Sequence, residues 1–366
     1  MVIKPVVEWK QSFARNLSFI LLLPLSVLYG IFSEARNALY DIRLFRSARF
    51  RSYVIGVGSL SVGGSGKTPL VEYLALHLFR KGIRTGVISN GFRKKSEGLV
   101  IVSDGKQILE NVFTSGDEAY FMAVNFLEAS AEIPVISCSD RIKGVQILEE
   151  RFQCNAVIID DSFQYRKLEK NVEFLVQDYL ETSYPHFPLP AGRLREFKRN
   201  LNRAEAVVIS KTPDGFNEQV LSGKWGKKVC ISHYTPLCFQ NCFEPDKQPL
   251  KMLSGKKIIL FFGLGHNESF ACSVRGLCSR YNACIIRSFE FQDHHWYSPG
   301  EVQEIFDSLN GLQLDQCMIL TTQKDAVKIK AEWVPLGMRS KVFFLRSEFK
   351  FESQNQFENL IKIPHI

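Results

Sequence analysis

The sequence predicts an α/β protein: two domains built on parallel sheets, preceded by an apolar membrane helix. Three observations predict it. Short apolar runs alternate with segments of helical spacing along most of the 366 residues. A glycine-rich loop, "GSLSVGGSGKTP" at Gly58–Pro69, joins one such run to one such segment. Asn16–Ser33 carries no charge and is almost wholly apolar.

The N-terminal stretch is just long enough to cross a bilayer, and Pro24 is tolerated in lipid. A cleaved signal peptide fits poorly, because the charged lead-in is long and no small-x-small site follows. Lys4, Lys10 and Arg15 precede the stretch, and Arg36, Arg43, Arg46, Arg49 and Arg51 follow it. The heavier positive side carries the rest of the chain, which predicts an anchor on the cytoplasmic side, spanning once or lying in the inner face.

Next, "RSYVIGVGSL" predicts a buried strand and "TPLVEYLALHLFRKG" a helix ending at Gly82. "TGVIS", "IPVIS", "NAVIIDD", "VEFLVQD" and "AEAVVIS" predict further strands, with helices at "GDEAYFMAVNFL" and "DRIKGVQILEERF". Buried apolar strands alternating with helices give a parallel sheet covered on both faces. From Val229 the pattern loosens into an extended linker, expected to be a strand pair. At Lys256 the alternation restarts with "KKIILFFGLG", "NESFACSVRGLCSRY", "ACIIRSF", "PGEVQEIFDSL", "CMILTTQ", "KDAVKI" and "KVFFL". The expected division is a membrane helix at 1–35, a first domain at 36–228, the linker at 229–254 and a smaller α/β domain at 255–366.

Hydrophobic residues make up 45% and charged residues 23%, the balance of a folded chain. The net charge of +8 points to an acidic partner: anionic lipid, a phosphorylated substrate or nucleic acid. The last is set aside, since no basic stripe with interleaved aromatics occurs. The nine cysteines form no CxxC pair, which predicts reduced thiols, and Cys272, Cys278 and Cys284 lack the histidines a zinc site needs.

The loop departs from the usual phosphate-binding pattern at Ser61, where a glycine belongs. Ser61 sits at the strand exit, so the departure spares the phosphate cradle. Ser61, Val62, Gly63, Gly64, Ser65, Gly66, Lys67 and Thr68 are expected to hold nucleotide phosphates, with Lys67 on the terminal phosphates and Thr68 on Mg²⁺. Asp160 and Asp161 end an apolar strand, where a carboxylate can hold the metal. Loop and strand end together imply ATP or GTP chemistry. Candidates for an acceptor base are Asp117 in "SGDEAY", Glu196 in "PAGRLREF", and His294 and His295 in "FQDHHWYS". By spacing alone Asp117 reads as an acidic first-turn residue and the histidines as loop residues.

These motifs together resemble one family, the tetraacyldisaccharide 4'-kinases, membrane-bound kinases of lipid A biosynthesis in Gram-negative bacteria. The similarity runs from about Asn16 to Phe344. "VGSLSVGGSGKTP", "GDEAY", "DDSFQ", "LPAGRLRE", "FQDHHWYS" and "LTTQKDAVK" carry it. The family commonly has threonine at the position of Ser61. Ala119 and Arg193 stand where it has proline, Ser162 where it has glycine, and Asn90 where it has arginine, with Arg93, Lys94 and Lys95 nearby to substitute. The resemblance implies a P-loop NTPase-like α/β/α kinase domain, a second α/β domain, ATP and Mg²⁺ as cofactors, and a lipid A disaccharide precursor as substrate at the inner membrane. It implies no obligate protein partner. It implies that Asp117 is the base for the sugar 4'-hydroxyl, that His294 pairs with Asp117 across the domains and raises its basicity, and that Arg141, Arg195, Glu196 and Asn90 line the site. The alternative reading is a membrane-associated P-loop ATPase or GTPase, a switch or metallochaperone. Such a protein has no use for an acceptor base in its second domain.

Overall fold

The computed structural model describes residues 7–92, 94–179, 187–212, 225–226, 228–263 and 267–362, and side chains from Phe19 onward apart from 267–269. Arg93 lies outside the described residues. The chain opens with helix α1 (Val7–Asp41). Strand β1 (Tyr53–Gly58), helix α2 (Lys67–Arg80) and β2 (Thr85–Ser89) follow. Then come β3 (Val100–Ser103), α3 (Val112–Ser115), α4 (Asp117–Glu128), β4 (Val135–Ser137) and α5 (Arg141–Glu150). Strands β5 (Ala156–Asp160), β6 (Val172–Asp178) and β7 (Ala206–Ser210) complete the first sheet region.

These elements form for the reason the sequence suggests. β1, β2, β5, β6 and β7 run parallel and are buried on both faces, so each reads as an apolar run. α2 lays Leu70, Val71, Leu74, Ala75 and Leu78 into the same core as Ile55, Val57, Val87 and Ile158. Edge strand β3, which the apolar pattern did not predict, pairs antiparallel with β4 through an irregular register.

Strand β8 (Val229–Asn241) pairs antiparallel with β9 (Lys247–Pro249), the strand pair expected in the linker. It also does more. Val229–Ile231 extend β7 in parallel, and Ser232–Asn241 pair antiparallel with β13 (Val342–Phe351). One sheet therefore runs β11-β10-β12-β13-β8-β7-β6-β1-β5-β2-β4-β3 across both domains. The second region is built from β10 (Lys257–Gly263), α6 (Asn267–Tyr281), β11 (Cys284–Phe291), α7 (Pro299–Asp307), β12 (Cys317–Thr321) and α8 (Gln323–Ala326). The helix expected at "KDAVKI" is thus a single turn. Thr322 caps it by accepting from the Asp325 amide, and Lys328 turns inward to pair with Asp325 at 2.8 Å. After β13 the chain returns to the first domain: Phe351, Phe357 and Leu360, the last two in and beyond α9 (Gln354–Glu358), join the α2 core.

α1 is docked with its polar edge inward. Ser26, Ser33 and Asn37 are buried, whereas Ile20, Leu21, Leu25, Leu28, Ile31 and Phe32 face outward, Phe32 at 75% exposure. Gly30 is required here, because a Cβ would lie 2.4 Å from the Phe197 ring. Ser26 Oγ accepts from the Ala191 amide at 2.7 Å, and Asn37 donates to Glu196 at 2.9 Å. Glu196 also pairs with Arg36 at 3.2 Å and Arg203 at 2.5 Å. The apolar residues that normally seal a helix to its core here point away from it.

Candidate active site

The glycine loop leaves β1 and enters α2 as expected. Ser61 forms a β-bridge with Leu194, and the Val62 amide donates to the Arg193 carbonyl at 2.9 Å. Its hydroxyl lies 3.3 Å from that of Ser59, inside the protein. A serine is accommodated because this position is strand-like and faces away from the cradle. Gly66 is different: its φ is +87°, and a Cβ would meet the Tyr234 hydroxyl at 2.7 Å. Ser210 Oγ donates to the Ser65 carbonyl at 2.6 Å, and Lys211 Nζ to the Gly64 carbonyl at 2.9 Å. The loop is thus braced from β7, with Lys67 and Thr68 in the first turn of α2, where free amides favour an anion.

β5 ends beside β1, Val57 opposite Asp160, so the strand-end carboxylates stand next to the loop. Asp161 adopts φ +50°. Its carboxylate takes Arg195 Nη1 at 2.9 and 2.8 Å and lies 3.5 Å from Lys67 Nζ. Burial opposes its charge, but Lys67 and Arg195 outweigh burial and hold its pKa below the ordinary carboxylate range. Asp160 is buried with no cation at ion-pair distance among the described residues, its Oδ1 accepting from the Asp161 amide at 2.9 Å. Burial first, and the charges of Glu118 and Asp161 second, push its pKa up to about 7. Among the described residues no three His, Cys, Asp or Glu side chains gather as a metal cage. One uncompensated carboxylate beside a hydroxyl-bearing helix start instead fits Mg²⁺, which takes hard oxygen donors and leaves its remaining positions to phosphates and water.

Asp117 opens α4 after Gly116, whose φ is +84°. His294 comes from the loop between β11 and α7, and its Nδ1 lies 3.0 Å from both Asp117 oxygens. Lys328 Nζ is 3.6 Å from Asp117 and Lys324 Nζ is 4.0 Å away. Burial opposes the Asp117 charge, yet the His294 hydrogen bond and the Lys324 ammonium outweigh it and hold the pKa at about 2. The expectation that His294 raises Asp117 basicity is therefore corrected: its N–H and the two lysines stabilise the carboxylate and lower it. His295 turns away to Glu301, at 3.0 Å, and stacks on Phe291.

A cavity of about 1180 Å³ gathers these groups. The loop, Lys67, Thr68, Asp161, Arg195, Asn90, Glu118, Asp293, His294 and Lys324 line it, and it continues along α2 to Tyr73, Tyr234 and Phe349. Asp117 stands just behind this wall, at 3% exposure. Arg141 is also behind it, donating to the Asp161 carbonyl at 3.2 Å and lying over the Tyr165 ring. Glu196, expected to line the site, is turned to α1 instead. Its neighbour Arg195 is the one that faces Asp161. Lys94 donates to the Ser137 carbonyl at 3.1 Å, and Lys95 lies over the Phe113 ring. Neither is among the residues lining the cavity. Sequence reasoning assigned no role to Glu118, Lys211, Asp293, Lys324 or Lys328. Lys324 and Lys328 lie in the quoted "LTTQKDAVK", and their inward placement follows from the one-turn helix.

The model of the tetraacyldisaccharide-1-P 4'-kinase family matches residues 18–363. The chain belongs to this family. Among curated tetraacyldisaccharide 4'-kinases, that of Halothermothrix orenii is 30% identical over 342 residues, covering 88% of this chain and 86% of its own. That of Cytophaga hutchinsonii is 33% identical over 315 residues, 85% of each chain. The crystal structure of the Aquifex aeolicus kinase, described as its "apo" form in complex with ATP, superposes with a TM-score of 0.72. The two are 30% identical, with 94% of this chain and 98% of that one covered. In this member of the family the glycine loop, the strand-end Asp161 and His294 of the second domain line one cavity.

Proposed function

We propose that the protein transfers the γ-phosphate of ATP to the 4'-hydroxyl of a tetraacyldisaccharide 1-phosphate, the precursor of lipid A. The observation that carries this reading is the convergence of the glycine loop and the Asp117–His294 pair on one cavity. Membership of the family and the ATP complex of the Aquifex aeolicus relative support it. The loop amides and Lys67 hold the phosphates, and Tyr73, Tyr234 and Phe349 offer an aromatic wall for the base. Thr68 and Asp160 would hold Mg²⁺, which would supply charge neutralisation at the transferring phosphate. Asp161, Lys67 and Arg195 form a fixed charge frame beside it. Asn90 lies on the cavity wall toward the acceptor, and Arg141 supports Asp161 from behind.

Asp117 takes the acceptor proton. Its low basicity suits a loose transition state, in which the attacking oxygen becomes acidic only as it bonds to phosphorus. Access requires the hydroxyl to enter between Glu118 and His294. The test is acceptor-dependent ATP turnover: the kinase reading expects phosphate on the lipid, whereas a switch ATPase would release inorganic phosphate with or without lipid.

The same reading gives Asp160 a measurable signature. A carboxylate whose folded pKa is raised costs stability as pH rises from about 4 toward its folded value, and the cost persists above it. Asp160→Asn is expected to melt higher than the wild type at pH ~8 in chelator, with the difference vanishing near pH ~4. Equal melting at both pH values by calorimetry would mean that burial does not raise the Asp160 pKa.

α1 supports a place at the membrane. Its outward face is apolar, and exposed Arg43, Arg46, Arg49 and Arg51 follow it. Because its polar edge is packed on the kinase domain from Phe19 to Asn37, the helix lies along the cytoplasmic surface of the inner membrane, sunk to the depth of that face. Leu21→Glu with Phe32→Glu is expected to abolish co-flotation with anionic vesicles, and undiminished flotation would contradict this placement.

A further inference from the structure

Lys324 is a basic residue of the site that the reaction scheme above leaves without a task. It follows β12 in the second domain, and its ammonium enters the cavity wall beside His294. Nζ lies 3.0 Å from His294 Nε2 and 3.0 Å from Asp293 Oδ1, with Glu118 Oε1 at 3.8 Å and Asp117 Oδ2 at 4.0 Å. Three carboxylates around one amine keep it an ammonium. Burial works against that charge, but Glu118, Asp117 and Asp293 outweigh burial and raise the Lys324 pKa above the ordinary lysine value.

An ammonium has three donors and no acceptor. The contact with His294 therefore has one polarity: Nε2 accepts. A neutral imidazole that accepts at Nε2 carries its proton on Nδ1, and Nδ1 is the nitrogen that faces both Asp117 oxygens at 3.0 Å. Asp117 then only accepts. Its other cationic neighbour, Lys328, is fixed from below by the His295 carbonyl at 3.0 Å and by Asp325 at 2.8 Å. We propose that Lys324 is a positioning residue of the transfer reaction, which holds His294 as the neutral Nδ1–H tautomer so that Asp117 stays an unprotonated, aimed acceptor. This rests on Asp117 being the base.

The groups that face His294 show what happens without it. Asp117 approaches from α4, Asp293 from its own loop with Oδ2 at 3.8 Å from Nε2, Lys324 from α8, and the Phe92 ring edge-on at 5.0 Å; Glu118 stands beside Lys324 at 3.8 Å and Lys328 beside Asp117 at 3.6 Å. Once Lys324 is neutral or absent, Nε2 looks toward Asp293. A second proton then sits between two carboxylates. The imidazolium so formed draws charge from Asp117 and weakens it as a proton acceptor.

The test is the histidine tautomer, read by long-range ¹H–¹⁵N spectra of ¹⁵N-histidine-labelled full chain, with His294 assigned by its loss in His294→Gln. The wild type is expected to show one protonated nitrogen, Nδ1, at the pH of the turnover assay. Lys324→Met is expected to show both nitrogens protonated at the same pH, with kcat lowered by about 10- to 100-fold and the ATP KM changed by less than about threefold. Lys324→Arg, which keeps a donor and a charge, should retain the wild-type spectrum and most of the turnover, and it guards against a folding defect in the methionine variant. A neutral Nδ1–H imidazole in Lys324→Met, or an imidazolium in the wild type, would overturn the proposal. Because the spectrum needs no turnover, a wild type with the expected tautomer and no phosphate transfer would instead overturn the kinase reading.

Discussion

Asp117→Ala is expected to lower kcat by about 10³-fold while the ATP dissociation constant stays within about threefold. The separation follows from the geometry. Asp117 belongs to the wall formed by α4 and His294, whereas the proposed phosphate site is the loop and the start of α2. Asp117→Asn sharpens the point, because its carbonyl can still accept from His294 Nδ1 yet cannot take a proton. It should be as slow as the alanine variant if proton transfer is the function, and close to wild type if Asp117 only orients His294. The pH profile adds a check. With its pKa held at about 2, Asp117 is ionised throughout the working range and gives no acid limb there. Its pairing also contributes stability that is complete above the unfolded carboxylate value of about 3.9 and is lost as pH falls toward the folded value. Parallel loss of kcat and ATP binding in Asp117→Ala would assign the residue to structure.

Lys67→Met should fail differently. Its ammonium lies at the start of α2 between the loop and Asp161, so its loss removes charge from the bound phosphates in both ground and transition states. The expected result is a kcat lower by about 10²- to 10³-fold together with an ATP KM higher by about tenfold or more. Arg195 still neutralises Asp161 in this variant, so folding should survive, as a melting curve would report. An unchanged ATP KM would mean that the nucleotide is not on this loop. Read together, the two variants separate a nucleotide-holding side from an acceptor side.

Much of this was legible in the sequence because the relevant signals are local. A parallel strand buried on both faces is an apolar run, and a glycine loop between strand and helix carries its own geometry. Ser61 was readable as a strand-exit position for the same reason. What stayed hidden depends on contacts between distant segments. The pairing of β8 with β13, and the return of Phe351 and Phe357 to the α2 core, leave no local pattern. Glu196 was misassigned because the sequence does not say which of two neighbouring side chains faces the cavity. Two of its partners, Arg36 and Asn37, lie about 160 residues away. The docking of α1 left a trace that can be read in hindsight: Ser26, Ser33 and Asn37 mark one edge of an otherwise apolar helix. The fall in Asp117 basicity could not be read at all, since Lys324 and Lys328 reach it only through the fold.

On the proposed function, the cavity moves phosphate from ATP to one hydroxyl of a lipid. The most direct measurement is ³¹P NMR of the product formed by the full chain, ATP, Mg²⁺ and tetraacyldisaccharide 1-phosphate in mixed micelles. One new phosphate monoester at the 4' position for each ATP consumed is the predicted result. ATP consumed to inorganic phosphate alone, or a phosphate placed elsewhere on the sugar, would contradict the account.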